Sequence, residues 1–87
     1  MEVKIYTTEH CKYCFQLKRI LSLLRISYID IDIDKSENKN EYEEIVKEIK
    51  HYYIPVIKIG DQFLSPNTDF QTINEAANMI FNKLKSA

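Results

Sequence analysis

The chain has 87 residues, of which 45% are hydrophobic and 29% charged, and a formal net charge of -1 at pH 7. That length suits one small domain, assigned to residues 1–87, and the near-neutral charge lacks the positive excess that attracts nucleic acid or an anionic membrane. Charged residues interrupt every apolar stretch, and Met1-Glu2-Val3-Lys4 alternates where a secretory leader needs an apolar core, so a cytoplasmic protein without a membrane anchor is expected.

Val3 and Ile5 alternate with Glu2 and Lys4 and run into Tyr6-Thr7-Thr8, the pattern of a strand ending in a polar loop that leads to Cys11. From there Tyr13, Cys14, Leu17, Ile20, Leu21 and Leu24 recur at helical spacing, with Lys12, Gln16, Lys18, Arg19, Ser22 and Arg25 on the opposite face. Ile29, Ile31 and Ile33 alternate with Asp30 and Asp32, which predicts a second strand with one more polar face. The polar stretch from Lys35 to Asn40 precedes a helical stripe of Tyr42, Ile45, Val46 and Ile49, read as a second helix that frays at its start.

Pro55 opens the apolar run Val56-Ile57-Lys58-Ile59, and Gly60-Asp61 separates that run from Phe63-Leu64 as in a tight hairpin. After Ser65-Pro66-Asn67, Thr68 stands three residues before Gln71, a capping-box spacing. Phe70, Ile73, Ala76, Ala77, Ile80, Phe81 and Leu84 then continue as a third helix. The order strand, helix, strand, helix, hairpin, helix implies an α/β fold with a parallel strand pair and an antiparallel hairpin in one four-stranded mixed sheet.

The chemistry concentrates at Cys11 and Cys14, the only two cysteines. A secreted mini-domain would need more of them, and in a reducing compartment a close pair is catalytic or metal-binding more often than structural. Three residues apart at a helix start, the side chains share one face, within the ~4.4 to 6.8 Å Cα separation that a disulfide tolerates. Unpaired N–H groups and the positive end of the helix dipole favour a thiolate at Cys11, and Lys12 and His10 can add positive charge. Its pKa is therefore expected to fall toward the roughly 3.5 to 7.5 of activated cysteines. Cys14 lies on the apolar stripe and is expected to stay a thiol, so Cys11 attacks and Cys14 resolves. Two alternatives remain at this point. Both cysteines could be small core residues. They could also be half of a zinc site, although a second ligand pair is missing and His10 and His51 are poorly spaced to supply one.

Tyr6-Thr7, Cys11-Lys12-Tyr13-Cys14, Ile54-Pro55-Val56 and Asn67-Thr68-Asp69, taken in order, resemble the glutaredoxin family over essentially the whole chain. The resemblance implies a thioredoxin-like fold and a thiol-disulfide oxidoreductase acting on protein disulfides or glutathione mixed disulfides, with glutathione as co-substrate and no metal. It implies a cis peptide bond before Pro55, where an isolated X-Pro bond would favour trans. It also implies that Ile54 offers its backbone N–H and C=O to the bound peptide. The amides of Thr68 and Asp69 would receive the γ-glutamyl carboxylate at the start of the last helix, although both residues could equally serve as caps. Tyr13 would flank the mixed disulfide, with a place in the core as its alternative.

Three positions depart from the family pattern. Lys12 replaces the usual proline after the first cysteine, placing a charge beside the thiolate. Thr8 replaces a basic residue that contacts glutathione, a contact Lys12 or His51 would have to supply. Ser65-Pro66 replaces a glycine pair and removes an N–H before Asn67. Two further functions follow from the same resemblance: an electron donor to enzymes such as ribonucleotide reductase, recharged by thioredoxin reductase, and a carrier of an iron-sulfur cluster held by Cys11 and glutathione from two chains. A monomer reducing disulfide-containing proteins is expected.

Overall fold

Alternation along the first strand divides the molecule into helical layers on either side of one sheet. The computed structural model describes residues 1–86 of the chain. Its elements are β1 (Val3–Thr7), α1 (Lys12–Leu23), β2 (Ile29–Asp32), α2 (Ser36–Ile49), β3 (Val56–Ile59), β4 (Gln62–Leu64) and α3 (Ile73–Ser86). The strands lie in the order β2-β1-β3-β4. β1 runs parallel to β2 and antiparallel to β3, which in turn pairs antiparallel with β4. The expected four-stranded mixed sheet with three helices is present.

Because side chains alternate across a strand, Val3 and Ile5 face one side of the sheet and Tyr6 the other. Val3 and Ile5 join Ile57 and Ile59 of β3, Leu17 and Leu21 of α1, and Ala76, Ala77 and Ile80 of α3 in the larger core cluster. Tyr6 and Val56 meet Tyr42, Ile45 and Val46 of α2 in the smaller one. The register agrees with this division, since Ile5 pairs with Ile57 and Tyr6 with Val56. A one-residue slip would exchange the faces and expose both clusters.

Both hairpin and helix ends follow local chemistry. Gly60 takes φ 60 in the β3–β4 turn, a dihedral region glycine enters without steric cost. At the end of α1, Arg25 takes the left-handed position with φ 59, where glycine is the usual occupant. Its N–H donates to Ser22 O at 3.1 Å and the Ile26 N–H donates to Leu21 O at 2.9 Å, the paired bonds of a Schellman motif.

Two helix starts differ from the sequence expectation. α2 does not fray over 35–40: it begins at Ser36, with Glu37 in its first turn, where a carboxylate complements the helix dipole. Asn38 holds this start, its Nδ2 donating to Asp32 O at 2.8 Å. α3 begins at Ile73, five residues beyond Thr68. The cap is Thr72, whose Oγ1 accepts the Glu75 N–H at 3.1 Å, while the Glu75 carboxylate accepts the Gln71 N–H at 3.3 Å. Thr72-Ile73-Asn74-Glu75 therefore outcompetes Thr68-Asp69-Phe70-Gln71 as the capping sequence. Its acidic residue complements the dipole, and the later start leaves Phe70 in the preceding loop, buried in the core.

Candidate active site around Cys11 and Cys14

β1 ends at Thr7, and the following turn, closed by the Cys11 N–H donating to Thr8 O at 3.3 Å, delivers Cys11 to the N-cap of α1. Cys11 has extended dihedrals, φ -86 and ψ 106, and its Sγ accepts the Cys14 N–H at 3.1 Å. Sulfur thus occupies the capping place normally taken by a serine or aspartate oxygen. Cys11 and Cys14 are joined in a disulfide with their Cα atoms 5.2 Å apart. Burial separates the two: Cys11 is partly exposed, whereas Cys14 is fully buried next to Leu17 on the inner face of α1.

Lys12 and Tyr13 occupy the first turn of α1, and both are exposed. Tyr13 is 61% exposed, which removes it from the core; the helical stripe begins in effect at Cys14. Leu24, also assigned to that stripe, is exposed at the far end of the helix. Pro55 is buried and the Ile54–Pro55 peptide bond is cis, as the family resemblance implied. Val56, the next residue, pairs with Tyr6, so Ile54 and Pro55 lie at the same end of the sheet as the chain leading to Cys11.

A cleft of about 860 Å³ opens beside Tyr13 and Pro55. One wall is the outer face of α1, with Gln16 and Arg19 continuing from Tyr13; another is formed by Tyr53 and Ile54. The third comes from the approach to α3 and includes Asn67, Phe70 and Thr72. Neither Thr68 nor Asp69 lines it. Both are exposed in the turn after Pro66. Asp69 closes that turn on itself, with Oδ2 accepting the Ser65 N–H and the Asp69 N–H donating to Ser65 O, both at 2.9 Å. The Asp69 amide is therefore already committed within the turn. Asn67, at φ 66, turns the backbone there and donates its N–H to Phe70 O at 2.8 Å.

His51, considered as a substitute for the missing basic residue, accepts the Tyr53 N–H at Nδ1 over 3.1 Å, and its rings pack 5.2 Å from Tyr53. It shapes the segment leading to Ile54, and its Nε2 is buried without a partner. Tyr53, Gln16 and Arg19 did not stand out in the sequence as cleft residues. The available signal was the exposed pair Tyr52-Tyr53 immediately before Ile54-Pro55, two aromatics that no helical or strand periodicity requires.

Electrostatics around the sheet are set by two networks. Asp30 of β2 accepts hydrogen bonds from Thr7 Oγ1 and from Lys18 Nζ, the latter at 2.8 Å. Partial burial pushes its carboxyl up, but the Lys18 and Thr7 hydrogen bonds and the charges of Lys18 and Lys35 outweigh it, so Asp30 titrates below the ordinary 3.8. On the other face Tyr6 donates to Glu41 Oε2 and stacks on Tyr42 with ring centroids 6.5 Å apart. Burial, followed by the Glu41 carboxylate, raises the Tyr6 phenol well above its usual value, so it remains a neutral donor. Among the described residues, no group of three or more His, Cys, Asp and Glu side chains is arranged to hold a metal ion. Nor is any described helix long and apolar enough to cross a membrane.

A four-stranded mixed sheet with three helices, carrying a Cys-x-x-Cys disulfide at the start of α1, defines a thiol oxidoreductase of thioredoxin-like fold. The family model "Glutaredoxin" matches residues 3–64, more than half of the chain. Glutaredoxin 3 of Escherichia coli is 32% identical over 72 residues, covering 83% of this chain and 84% of that protein. The glutaredoxin-like protein NrdH-redoxin from Escherichia coli superposes with a TM-score of 0.64 at 26% identity, over 85% of this chain and 92% of its own. A buckwheat glutaredoxin solved as its glutathione complex shares the fold with a TM-score of 0.70 at 15% identity, over 93% of this chain and 69% of its own. The chain belongs to the glutaredoxin family.

Proposed function

We propose that this protein reduces protein disulfides or glutathione mixed disulfides through the Cys11/Cys14 dithiol in the cytoplasm, with glutathione returning the electrons. The observation that carries the reading is the asymmetry of the pair: Cys11 is reachable at a helix N-terminus, and Cys14 is buried one turn inward. In the reduced protein, the amide that donates to Cys11 Sγ and the helix dipole both favour the thiolate. That thiolate attacks one sulfur of the substrate disulfide, forming a mixed disulfide and releasing the other sulfur as a thiolate that takes a proton from water. Cys14 then loses its proton and attacks Cys11 Sγ. The Cys11–Cys14 bond forms, the second substrate thiol leaves, and two electrons have passed to the substrate. One glutathione thiolate opens the protein disulfide by bonding to Cys11, and a second attacks that glutathione sulfur, restoring the dithiol and yielding oxidised glutathione.

Position around the cleft supports the following roles. Ile54 presents backbone groups to the substrate segment, Pro55 walls the cleft beside Tyr13, and Tyr13 covers the mixed disulfide. Lys12 adds positive charge in the first turn of α1. The γ-glutamyl carboxylate of glutathione would meet the Thr68 amide, and Asp69 would contribute by holding the turn, since its own amide is bonded to Ser65. The buckwheat relative was solved with glutathione, which supports a glutathione partner for this fold.

A second reading has its own support. NrdH-redoxin is described by its thioredoxin-like activity profile, and this chain departs from the glutathione-binding pattern at Thr8 and Ser65-Pro66. On that reading thioredoxin reductase supplies the electrons, and the oxidised partner is an enzyme such as ribonucleotide reductase. A turnover assay on a protein disulfide separates the two. Sustained turnover with glutathione and glutathione reductase is expected. Turnover only with thioredoxin reductase would transfer the assignment to the second reading, and turnover with neither reductant would remove both.

A further inference from the structure

The cleft beside Tyr13 and Pro55 contains one formally charged side chain, Arg19. No aspartate, glutamate or lysine lines it, although the protein as a whole has a net charge of -1. Arg19 is exposed, and it belongs to none of the salt bridges among the described residues. By contrast Lys18, its neighbour in sequence, is tied to Asp30 on the sheet side of the same helix. The helix thus turns one cation inward to a partner and leaves the next facing the cleft.

We propose that Arg19 is a specificity-determining residue that selects disulfide substrates with an acidic side chain three or four residues from the reacting cysteine. The inference rests on the dithiol reading given above and adds a substrate preference to it. The spacing follows from geometry. Arg19 lies eight residues beyond Cys11, about 12 Å along the helix at 1.5 Å per residue. A substrate segment extended along Ile54 and down the cleft advances about 3.3 Å per residue, so its third or fourth residue reaches Arg19. An arginine fork facing a carboxylate supplies two charge-assisted hydrogen bonds, and the surrounding side chains Gln16, Gln71 and Asn74 can hydrogen-bond but cannot neutralise a charge. A carboxylate is therefore the complementary group, and a basic residue at that position is disfavoured.

The test uses the full chain, reduced beforehand and mixed with disulfide-linked peptide dimers. Each reaction converts one peptide disulfide to two thiols while Cys11–Cys14 forms, so no further reductant enters. The peptides carry Glu or Gln at the third and fourth positions on either side of cysteine, and oxidised glutathione serves as a third substrate. Rates are followed by acid quenching and mass spectrometry at low ionic strength. The Glu peptide is expected to react roughly two- to fivefold faster than the Gln peptide, the range for a solvent-accessible charge pair. Arg19→Gln should bring that ratio close to one, and Arg19→Glu should invert it. Equal rates in the unaltered protein, or a preference that survives Arg19→Gln, would overturn the proposal. So would an equal or larger loss with oxidised glutathione, which would make Arg19 a glutathione contact. If the reduced chain reacts with none of the three disulfides, the dithiol reading itself falls.

Discussion

The Cys14 N–H donates to Cys11 Sγ at 3.1 Å, so the two cysteines are linked through the first turn of α1 as well as through sulfur. The bond that caps the helix is also the one that would hold negative charge on Cys11 once the disulfide opens.

From that arrangement the two cysteines should respond differently to substitution. Cys11→Ser is expected to abolish disulfide turnover, because the oxygen nucleophile cannot form the mixed disulfide. Cys14→Ser should leave the first attack intact and accumulate the mixed disulfide at Cys11, seen as an added mass equal to the substrate thiol less two hydrogens. Equal, mild losses from both changes would contradict the assignment of roles.

The cap of α3 gives a contrast between two threonines. Thr72→Ala removes the acceptor of the Glu75 N–H and should cost about 1 kcal/mol, or roughly 4–8 °C in Tm for a domain of this size. Thr68→Ala touches no cap and should leave Tm nearly unchanged. Thermal denaturation of the two variants, side by side, checks where the helix begins.

Asp30 should shape the acid limb of stability. Its carboxyl titrates lower in the folded chain than when unfolded, so its contribution is present above the ordinary 3.8 and is lost as the pH falls through the folded value. Asp30→Asn removes that contribution at neutral pH and should flatten the decline in stability below about pH 4. The pair with Lys18 is partly solvent-exposed, which limits the expected change to under about 1 kcal/mol. Urea denaturation at several pH values measures it.

At the end of α1, Arg25 occupies a left-handed position that costs a side-chain residue about 1–2 kcal/mol. Arg25→Gly should raise stability by about 0.5–1 kcal/mol, the remainder being offset by the greater freedom of glycine in the unfolded chain. A lower urea midpoint for Arg25→Gly would show that the arginine side chain contributes contacts that outweigh its backbone cost.

Strand and helix order were legible in the chain because the information is local. Val3 and Ile5 alternate and Leu17 and Leu21 recur four apart, and the same periodicities bury them in one cluster. The Cys-x-x-Cys pair and the residues around Pro55 were legible for the same reason: each motif occupies a few consecutive positions. Tertiary structure decided what depends on competition or convergence. Thr68 and Thr72 both precede a residue able to complete a cap, and only the burial of Phe70 in the core and the carboxylate of Glu75 place the helix start at the second. Tyr13 fits the apolar stripe by spacing, yet it is exposed and lines the cleft, whereas Cys14 and Leu17 on the neighbouring face of the helix are buried. Arg19, Tyr53 and Asn67 come from segments far apart in sequence, and no periodicity within any of those segments encodes their meeting. The reacting pair is thus written in three consecutive steps of one helix, whereas the surface that selects what reaches it exists only after the sheet has brought α1, the Pro55 segment and the approach to α3 together.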